Sequence, residues 1–216
     1  MSDGWCGHNG GMKIAVVTLD GFNEIDSFVA SYILGRVQRQ DWEVAIASPT
    51  RQVTSMNGVT VTAQMSTDEL WSADAVIVGS GNKTRDYAAD EAFLVSLRLD
   101  PARQLVGSQC SGALLLAKLG LLANVPVCTD LTTKPWVIEA GVNVVDRPFY
   151  ASGNVATAGG CLSAQYRCVD HHPNRRCRRG PQRIVLCCAG WRKRPVHRPS
   201  DGTRAGRQRR GRRRFG

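Results

Sequence analysis

The sequence predicts an α/β domain with a mainly parallel β-sheet over residues 13–166. Short apolar runs rich in β-branched residues recur along this segment, each about as long as one buried strand. The segments between them carry apolar residues three or four positions apart, which is the period of a helix. Because this alternation is typical of a parallel sheet covered by helices, it favours an α/β architecture. Apolar residues make up 43% of the chain, enough for a sizeable core.

The first half of the domain opens with a strand over residues 13–19 and a turn at Asp20-Gly21. A helix is predicted next, because its apolar residues keep helical spacing: Ile25, Phe28, Val29, Tyr32, Ile33 and Val37. The elements predicted after it are a strand at 44–48, a hairpin over 52–64 around Asn57-Gly58, a short helix opened by a capping box at 66–69, and a strand at 75–79.

The second half continues the alternation and places two loops of reactive residue types at one edge of the sheet. Its predicted elements are a helix at 86–98, a strand at 104–108, a helix at 111–122, two short strands within 143–157, and a helix start at 159–166. Sites in parallel sheets gather at the carboxyl ends of strands. The loops over residues 20–26 and 108–112 both follow strands, so we expect the functional residues there.

The net charge of +10 comes entirely from the last fifty residues. Residues 13–166 hold 11 Lys and Arg against 15 Asp and Glu, whereas residues 167–216 hold 17 against 2. The domain itself is therefore mildly acidic, which removes the charge argument for nucleic-acid or membrane-surface binding. Residues 1–12 are predicted to be a flexible leader.

The last fifty residues are predicted to be a frameshifted, non-native tail. They contain 16 Arg and a single Lys, and they have neither a helical nor a strand period. A stretch rich in Arg, Gly, Pro and Cys is typical of GC-rich DNA that is translated in a shifted reading frame. The alternative is a native basic arm that binds nucleic acid through phosphate contacts.

Apolar segments and cysteines indicate a reduced, cytoplasmic protein. No run reaches the ~18 apolar residues that span a bilayer, and the first residues show no signal-peptide pattern. Only Cys110, Cys128 and Cys161 lie within residues 13–166. An odd, widely spaced set of cysteines without an export signal is typical of a reducing compartment.

Cys110 is the leading candidate for a reactive residue. It lies where an apolar strand meets a helix, and the small residues Ser111, Gly112 and Ala113 follow it. This pattern is typical of a cysteine nucleophile elbow, in which a sharp turn exposes the side chain and small neighbours allow close backbone packing. The helix start should favour the thiolate, and the amide of Ser111 should point towards an oxyanion. The alternative is a buried structural cysteine.

The same segments resemble the ThiJ/PfpI family of the class I glutamine amidotransferase-like superfamily. The matching pieces occur in the family's order and spacing: KIAVVTLDGFNEID, AVIVGSGN, LVGSQCSGALLLAKLGLL, TTKPW and ATAGGCLSAQY. The resemblance implies a flavodoxin-like three-layer sandwich and a homodimer. Within the family, the pattern is most similar to the isonitrile hydratase and AraC-regulator-associated branch.

The resemblance also assigns roles by position. Cys110 matches the family nucleophile, and Asp26 matches the carboxylate that contacts its sulfur. Gly81 matches the second glycine of a Gly-Gly loop whose amide forms the oxyanion hole with that of Ser111. The alternative role for Asp26 is that of a solvated or helix-capping carboxylate. Glu24 is the other candidate for the site carboxylate.

Cys161 is a possible second thiol of the site, and the alternative for it is a small packed residue. No cluster within residues 13–166 has metal-ligand spacing, and no nucleotide-binding motif is present, so neither a metal nor another cofactor is expected.

Two departures from the family pattern shape the predicted chemistry. Ser80 replaces the first glycine of the Gly-Gly loop, and Lys134 stands where the family's TTHW pattern has its histidine. All four histidines lie outside residues 13–166, which argues against a Cys-His-acid triad. The remaining Cys-Asp pair suits a hydratase- or hydrolase-like enzyme acting on a small electrophile, as in isonitrile hydration. The alternatives are glyoxalase- or deglycase-like activity and a non-catalytic sensor of a ligand or oxidant.

Overall fold

A computed structural model of the chain describes residues 12–161 and residue 163. The strands are β1 (Met12–Val17), β2 (Trp42–Ser48), β3 (Gln52–Thr54), β4 (Thr60–Thr62), β5 (Met65–Ser66), β6 (Ala75–Val78), β7 (Leu105–Gln109), β8 (Phe149–Ser152) and β9 (Val155–Ala158). The helices are α1 (Glu24–Gly35), α2 (Thr84–Ala89), α3 (Glu91–Ser96), α4 (Gly112–Lys118) and α5 (Lys134–Glu139), with a 3₁₀ helix at Thr67–Ser72.

Seven of these strands form one sheet in the order β5-β2-β1-β6-β7-β9-β8. Every pairing in it is parallel except the one between β8 and β9, which form an antiparallel hairpin. Strands β3 and β4 pair separately as the hairpin expected around Asn57-Gly58. The predicted α/β class with a mainly parallel sheet is therefore confirmed.

The two faces of the sheet bury separate apolar clusters, which gives the three layers. Alternate residues of β1 point to opposite faces, so Ile14 and Val16 join one cluster while Ala15 and Val17 join the other. Helix α1 covers the first face through Ala30 and Leu34. Helices α2 to α5 contribute to the larger cluster on the second face.

Several elements differ from the prediction: the helix expected over 111–122 ends at Lys118, and α5 was not predicted. The first strand begins at Met12 and ends at Val17, so it is shifted towards the N-terminus. The helix expected over 86–98 is two short helices, because Asp90 adopts an extended conformation between them. Its side chain accepts a hydrogen bond from the amide of Phe93 at 3.0 Å and so caps α3.

The predictions for the leader and for the Arg-rich tail (167–216) concern residues outside the described part, apart from Met12 in β1. Within that part, no helix combines the length and apolar character needed to cross a membrane.

Candidate active site

The carboxyl ends of β1, β6 and β7 bring the predicted reactive loops together. Strand β1 lies beside β6, and β6 lies beside β7, all in parallel register. The loop after β1 leads into α1, the loop after β6 contains Ser80 and Gly81, and the loop after β7 contains Cys110. This is the edge at which ligands bind in open α/β sheets.

Asp26 lies in the first turn of α1 and is fully buried, with 0% of its surface exposed. Its helix start is fixed by Asn23, whose side chain accepts a hydrogen bond from the amide of Ile25 at 3.2 Å. One carboxylate oxygen, Oδ2, accepts a hydrogen bond from the Ser80 hydroxyl. The other oxygen, Oδ1, has no partner among the described residues. Burial raises the pKa of this carboxyl above its ordinary value.

Cys110 occupies the tight turn between β7 and α4. Its φ of +50° lies in the left-handed region, which non-glycine residues rarely adopt. Its backbone is held on both sides: its amide donates to the carbonyl of Ala158 at 2.9 Å, and its carbonyl accepts from the Thr129 hydroxyl at 2.9 Å. The surrounding contacts thus hold a strained backbone that places the thiol at the strand ends.

Gly112 explains why small residues follow Cys110. A Cβ atom at this position would lie 2.5 Å from the carbonyl oxygen of Val78 and 2.6 Å from that of Gly79. Only glycine therefore allows α4 to start this close to the end of β6. The close backbone approach predicted from the small residues is confirmed here.

Cys161 joins Cys110 and Asp26 in one cluster. The two sulfur atoms are 3.8 Å apart, and the Asn23 side-chain amide donates to Cys161 Sγ at 3.1 Å. One ligand atom from each of Asp26, Cys110 and Cys161 lies within 4.8 Å of the others. Within the described residues, this is the group whose ligand atoms are close enough together to hold a metal ion. It offers three ligands, whereas a structural zinc site uses four. Cys161 thus lies beside the predicted nucleophile, and its role as a second site thiol stays a prediction.

The two thiols differ in acidity. The contact with Cys161 and burial raise the pKa of Cys110, whereas the contact with Cys110 lowers the pKa of Cys161. These directions oppose the expectation that the helix start favours the Cys110 thiolate, and that expectation stays a prediction. Helix α4, whose start follows Cys110, has seven residues.

The two residues predicted for an oxyanion hole are linked by hydroxyl groups. The Gly81 amide donates to Thr84 Oγ1 at 3.1 Å and to Ser111 Oγ at 3.3 Å, and these hydroxyls are 2.9 Å apart. The Gly81 amide is thus already engaged in this state. Their role in stabilising an oxyanion stays a prediction, as do the catalytic roles of Cys110 and Asp26.

Glu24 lies apart from the thiols. Its carboxylate accepts hydrogen bonds from the Ser55 hydroxyl and, at 2.9 Å, from the Asn57 side-chain amide. The bond from Ser55 is the main cause that lowers the pKa of Glu24. The structure therefore brings Asp26, and not Glu24, into the cluster with Cys110.

Two further residues of the site were not anticipated. Asn23 contacts Cys161, and the negative charge of Asp130 contributes to raising the pKa values of both Asp26 and Cys110. Asp130 Oδ1 accepts from the amides of Thr132 and Thr133, and its Oδ2 is buried without a partner among the described residues. The only sequence signals for these residues were a helix-cap position for Asn23 and a turn position for Asp130.

A cavity of about 280 Å³ lies next to this cluster, beyond Thr129 and Gly159. Lys134, which replaces the family's histidine, lines it, whereas neither Cys110 nor Asp26 does. Lys134 is half-buried at the start of α5.

The sheet order, the helices on both faces and a cysteine at a strained strand-to-helix turn define a flavodoxin-like α/β protein. Residues 12–168 match the family model described as the DJ-1/PfpI family. The chain therefore belongs to the DJ-1/PfpI family.

Solved structures of the same fold support this assignment. A ThiJ/PfpI domain protein from Brachyspira murdochii superposes with a TM-score of 0.64 at 18% identity, covering 72% of this chain and 91% of that chain. A DJ-1 superfamily protein from Salmonella typhimurium, solved as a cysteine-to-alanine mutant, gives 0.61 at 25% identity, covering 73% and 87%. Schizosaccharomyces pombe DJ-1 gives 0.61 at 17% identity, covering 76% and 94%. No curated protein matches the chain at comparable significance.

Proposed function

We propose that this DJ-1/PfpI family member is an enzyme that hydrates a small electrophile, with isonitriles as its substrate class. The observation that carries the proposal is the position of the Cys110 thiol beside Asp26, a buried carboxyl whose Oδ1 has no hydrogen-bond partner in the described part of the chain. Residues 12–161 contain no histidine, so a carboxylate is the group that can move the proton. The resemblance to the isonitrile hydratase and AraC-regulator-associated branch supports this choice of substrate.

Asp26 acts first as a general base and then as an acid. Because its pKa is raised, it is a stronger base than an ordinary carboxylate. It takes the Cys110 proton as the sulfur bonds to the isonitrile carbon, and it returns that proton to the same carbon. The product of this step is a thioimidate.

Water completes the reaction. It adds to the thioimidate carbon, the carbon–sulfur bond breaks, and Cys110 recovers its proton. The sum is R–NC plus water giving R–NH–CHO, a formamide, with no oxidant or reductant consumed. The amides of Gly81 and Ser111 are the proposed donors to a developing anion, once the Thr84 and Ser111 hydroxyls release the Gly81 amide.

Assembly, location and other partners belong to the same proposal. We propose a homodimer in the cytoplasm that takes a small-molecule substrate and needs no cofactor. Nucleic acid becomes a partner only if residues 167–216 are native. Light scattering coupled to size exclusion measures the assembly, and a monomer at micromolar concentration contradicts the dimer.

A two-substrate assay tests the proposed reaction. The full chain is incubated with an alkyl isonitrile or with methylglyoxal, and NMR follows formamide or lactate. We expect enzyme-dependent formamide and no lactate. Lactate without formamide overturns isonitrile hydration in favour of the glyoxalase-like alternative. If neither formamide nor lactate forms, both the isonitrile hydration and the glyoxalase-like alternative are overturned. The non-catalytic role is then the remaining hypothesis.

A further inference from the structure

The cluster contains one thiol more than the proposed hydration uses. That reaction uses Cys110 and Asp26, whereas Cys161 has no part in it. Yet Cys161 Sγ lies 3.8 Å from Cys110 Sγ, across 51 positions of sequence. A second thiol this close to a reactive one is the arrangement found where sulfenic acids are converted to disulfides.

The two sulfurs are unequal in access and in hydrogen bonding. Cys110 is 9% exposed, whereas Cys161 is of intermediate exposure. Cys161 Sγ accepts from the Asn23 side-chain amide at 3.1 Å, and its own thiol donates to Cys110 Sγ at 3.8 Å. The Asn23 donor favours the thiolate of Cys161, and the contact with Cys110 lowers the pKa of Cys161 further. Cys161 is therefore the thiol better placed to attack an incoming oxidant.

The backbone before Cys161 permits the sulfurs to close. A disulfide has a sulfur–sulfur bond of about 2.0 Å, so the gap must shorten by about 1.8 Å. Gly159 and Gly160 directly precede Cys161. A Cβ atom on Gly159 would lie 3.0 Å from the Arg147 carbonyl oxygen, so that residue is closely packed, whereas one on Gly160 meets its nearest neighbour, Ser163 Oγ, at 3.5 Å. Gly160 is therefore the residue whose backbone can adjust to bring Cys161 towards Cys110.

We propose that this cluster reduces hydroperoxides, with Cys161 as the attacking thiol and Cys110 as the resolving thiol. The Cys161 sulfur attacks the terminal oxygen of R–OOH, the oxygen–oxygen bond breaks, and R–OH leaves with the thiol proton. Cys161 is oxidised to a sulfenic acid.

Cys110 then attacks the oxidised sulfur. A sulfur–sulfur bond forms, the sulfur–oxygen bond breaks, and water leaves. The unpartnered Asp26 Oδ1 carries the Cys110 proton to the departing hydroxyl. A low-molecular-weight thiol reduces the disulfide, so one peroxide and two thiols give one alcohol, one water and one external disulfide.

This activity is independent of the proposed hydration but shares one sulfur with it. The disulfide occupies Cys110 Sγ, so peroxide should switch off any reaction that needs the free Cys110 thiol. Failure of isonitrile turnover leaves the peroxide prediction standing, because disulfide formation is read directly from the protein.

Peptide mapping tests the disulfide. The full chain is treated with stoichiometric hydrogen peroxide in the presence of a metal chelator, alkylated, and digested with trypsin and chymotrypsin. Trypsin releases residues 104–118, which contain only Cys110, and chymotryptic cleavage after Trp136 separates Cys128 from Cys161. We expect a peptide pair joined through Cys110 and Cys161. Sulfinic acids on both cysteines without the linked pair overturn the proposal.

Dimedone trapping assigns the two roles. In Cys110→Ser we expect a dimedone adduct on Cys161, and in Cys161→Ser a loss of peroxide consumption of at least about tenfold. Cys128→Ser is the matched control, because Cys128 is fully buried and lies outside the cluster. The assignment is overturned if Cys161→Ser consumes peroxide at the wild-type rate and carries its dimedone adduct on Cys110. Thermal melts of all three variants verify folding.

Discussion

Replacing Cys110 with serine is expected to lower isonitrile turnover by about 10³-fold or more, because the substitution removes the atom that bonds to substrate. Serine retains the size and the hydrogen-bonding capacity of the residue, so the strained turn and its bonds to Ala158 and Thr129 remain. The kcat/KM value for formamide formation should fall while the melting temperature stays close to that of the wild type.

Cys128→Ser is the matched control for this substitution. Cys128 is also buried, and burial raises the pKa of its thiol to about 11, which makes it unreactive at neutral pH. Turnover should remain within about twofold of wild type. A Cys110→Ser enzyme that keeps its full rate, or a Cys128→Ser enzyme that loses it, contradicts the account.

Replacing Asp26 with asparagine is expected to lower turnover by about 10²–10⁴-fold, because the amide cannot take the Cys110 proton. Asparagine keeps an oxygen that can accept the Ser80 hydroxyl bond. The pH profile of the remaining activity should lose the limb that reports ionisation of Asp26. A profile with that limb unchanged would rule out Asp26 as the base.

The same substitution should stabilise the fold at neutral pH. Burial raises the folded-state pKa of Asp26, so the folded protein binds more protons than the unfolded chain between the unfolded pKa, about 3.9, and the raised value. The contribution of Asp26 to stability is therefore fully present below the unfolded pKa and is lost as pH rises through this window. Asparagine removes that loss, and we expect the melting temperature at pH 7 to rise by about 2–4 °C.

Asp20→Asn is the control for this substitution, because the pKa of Asp20 is lowered in the folded state whereas that of Asp26 is raised. Its hydrogen bond with Lys83 lowers the pKa of Asp20, and the residue lies on the surface of the neighbouring loop. The folded state therefore releases the Asp20 proton more readily than the unfolded chain, and any stability it adds is lost as pH falls. Asp20→Asn should leave the neutral-pH melting temperature unchanged or lower it. A rise in Asp20→Asn equal to that in Asp26→Asn would remove burial as the explanation.

Local patterns were sufficient to predict most of the fold and to select Cys110. The apolar runs of β1, β6 and β7 and the small residues after Cys110 are continuous in sequence, so their placement needed no long-range information. Asp26 came from its match to the carboxylate of the family pattern, and the apolar period of the first helix placed it only near that helix start. The break at Asp90 was missed because an extended cap within a helical period depends on a single side-chain bond.

The contacts among the site residues could not be predicted because they depend on strand pairing. Cys161 was named as a possible second thiol, but its distance from Cys110 depends on β9 lying beside β7, a pairing across about fifty residues that no local pattern encodes. Asn23 and Asp130 become neighbours of the thiols in the same way. Ser80 was noted as a departure from the family's glycine, yet its hydrogen bond to Asp26 became visible only in the structure.

The most direct test of the central claim is to identify the covalent intermediate. The full chain is mixed with isonitrile, quenched during turnover, and digested with trypsin, which releases Cys110 alone within residues 104–118. The account predicts that this peptide gains the mass of one substrate molecule, and that the gain is absent in Cys110→Ser. Turnover with this peptide unmodified throughout, or with the adduct on another cysteine, would contradict it.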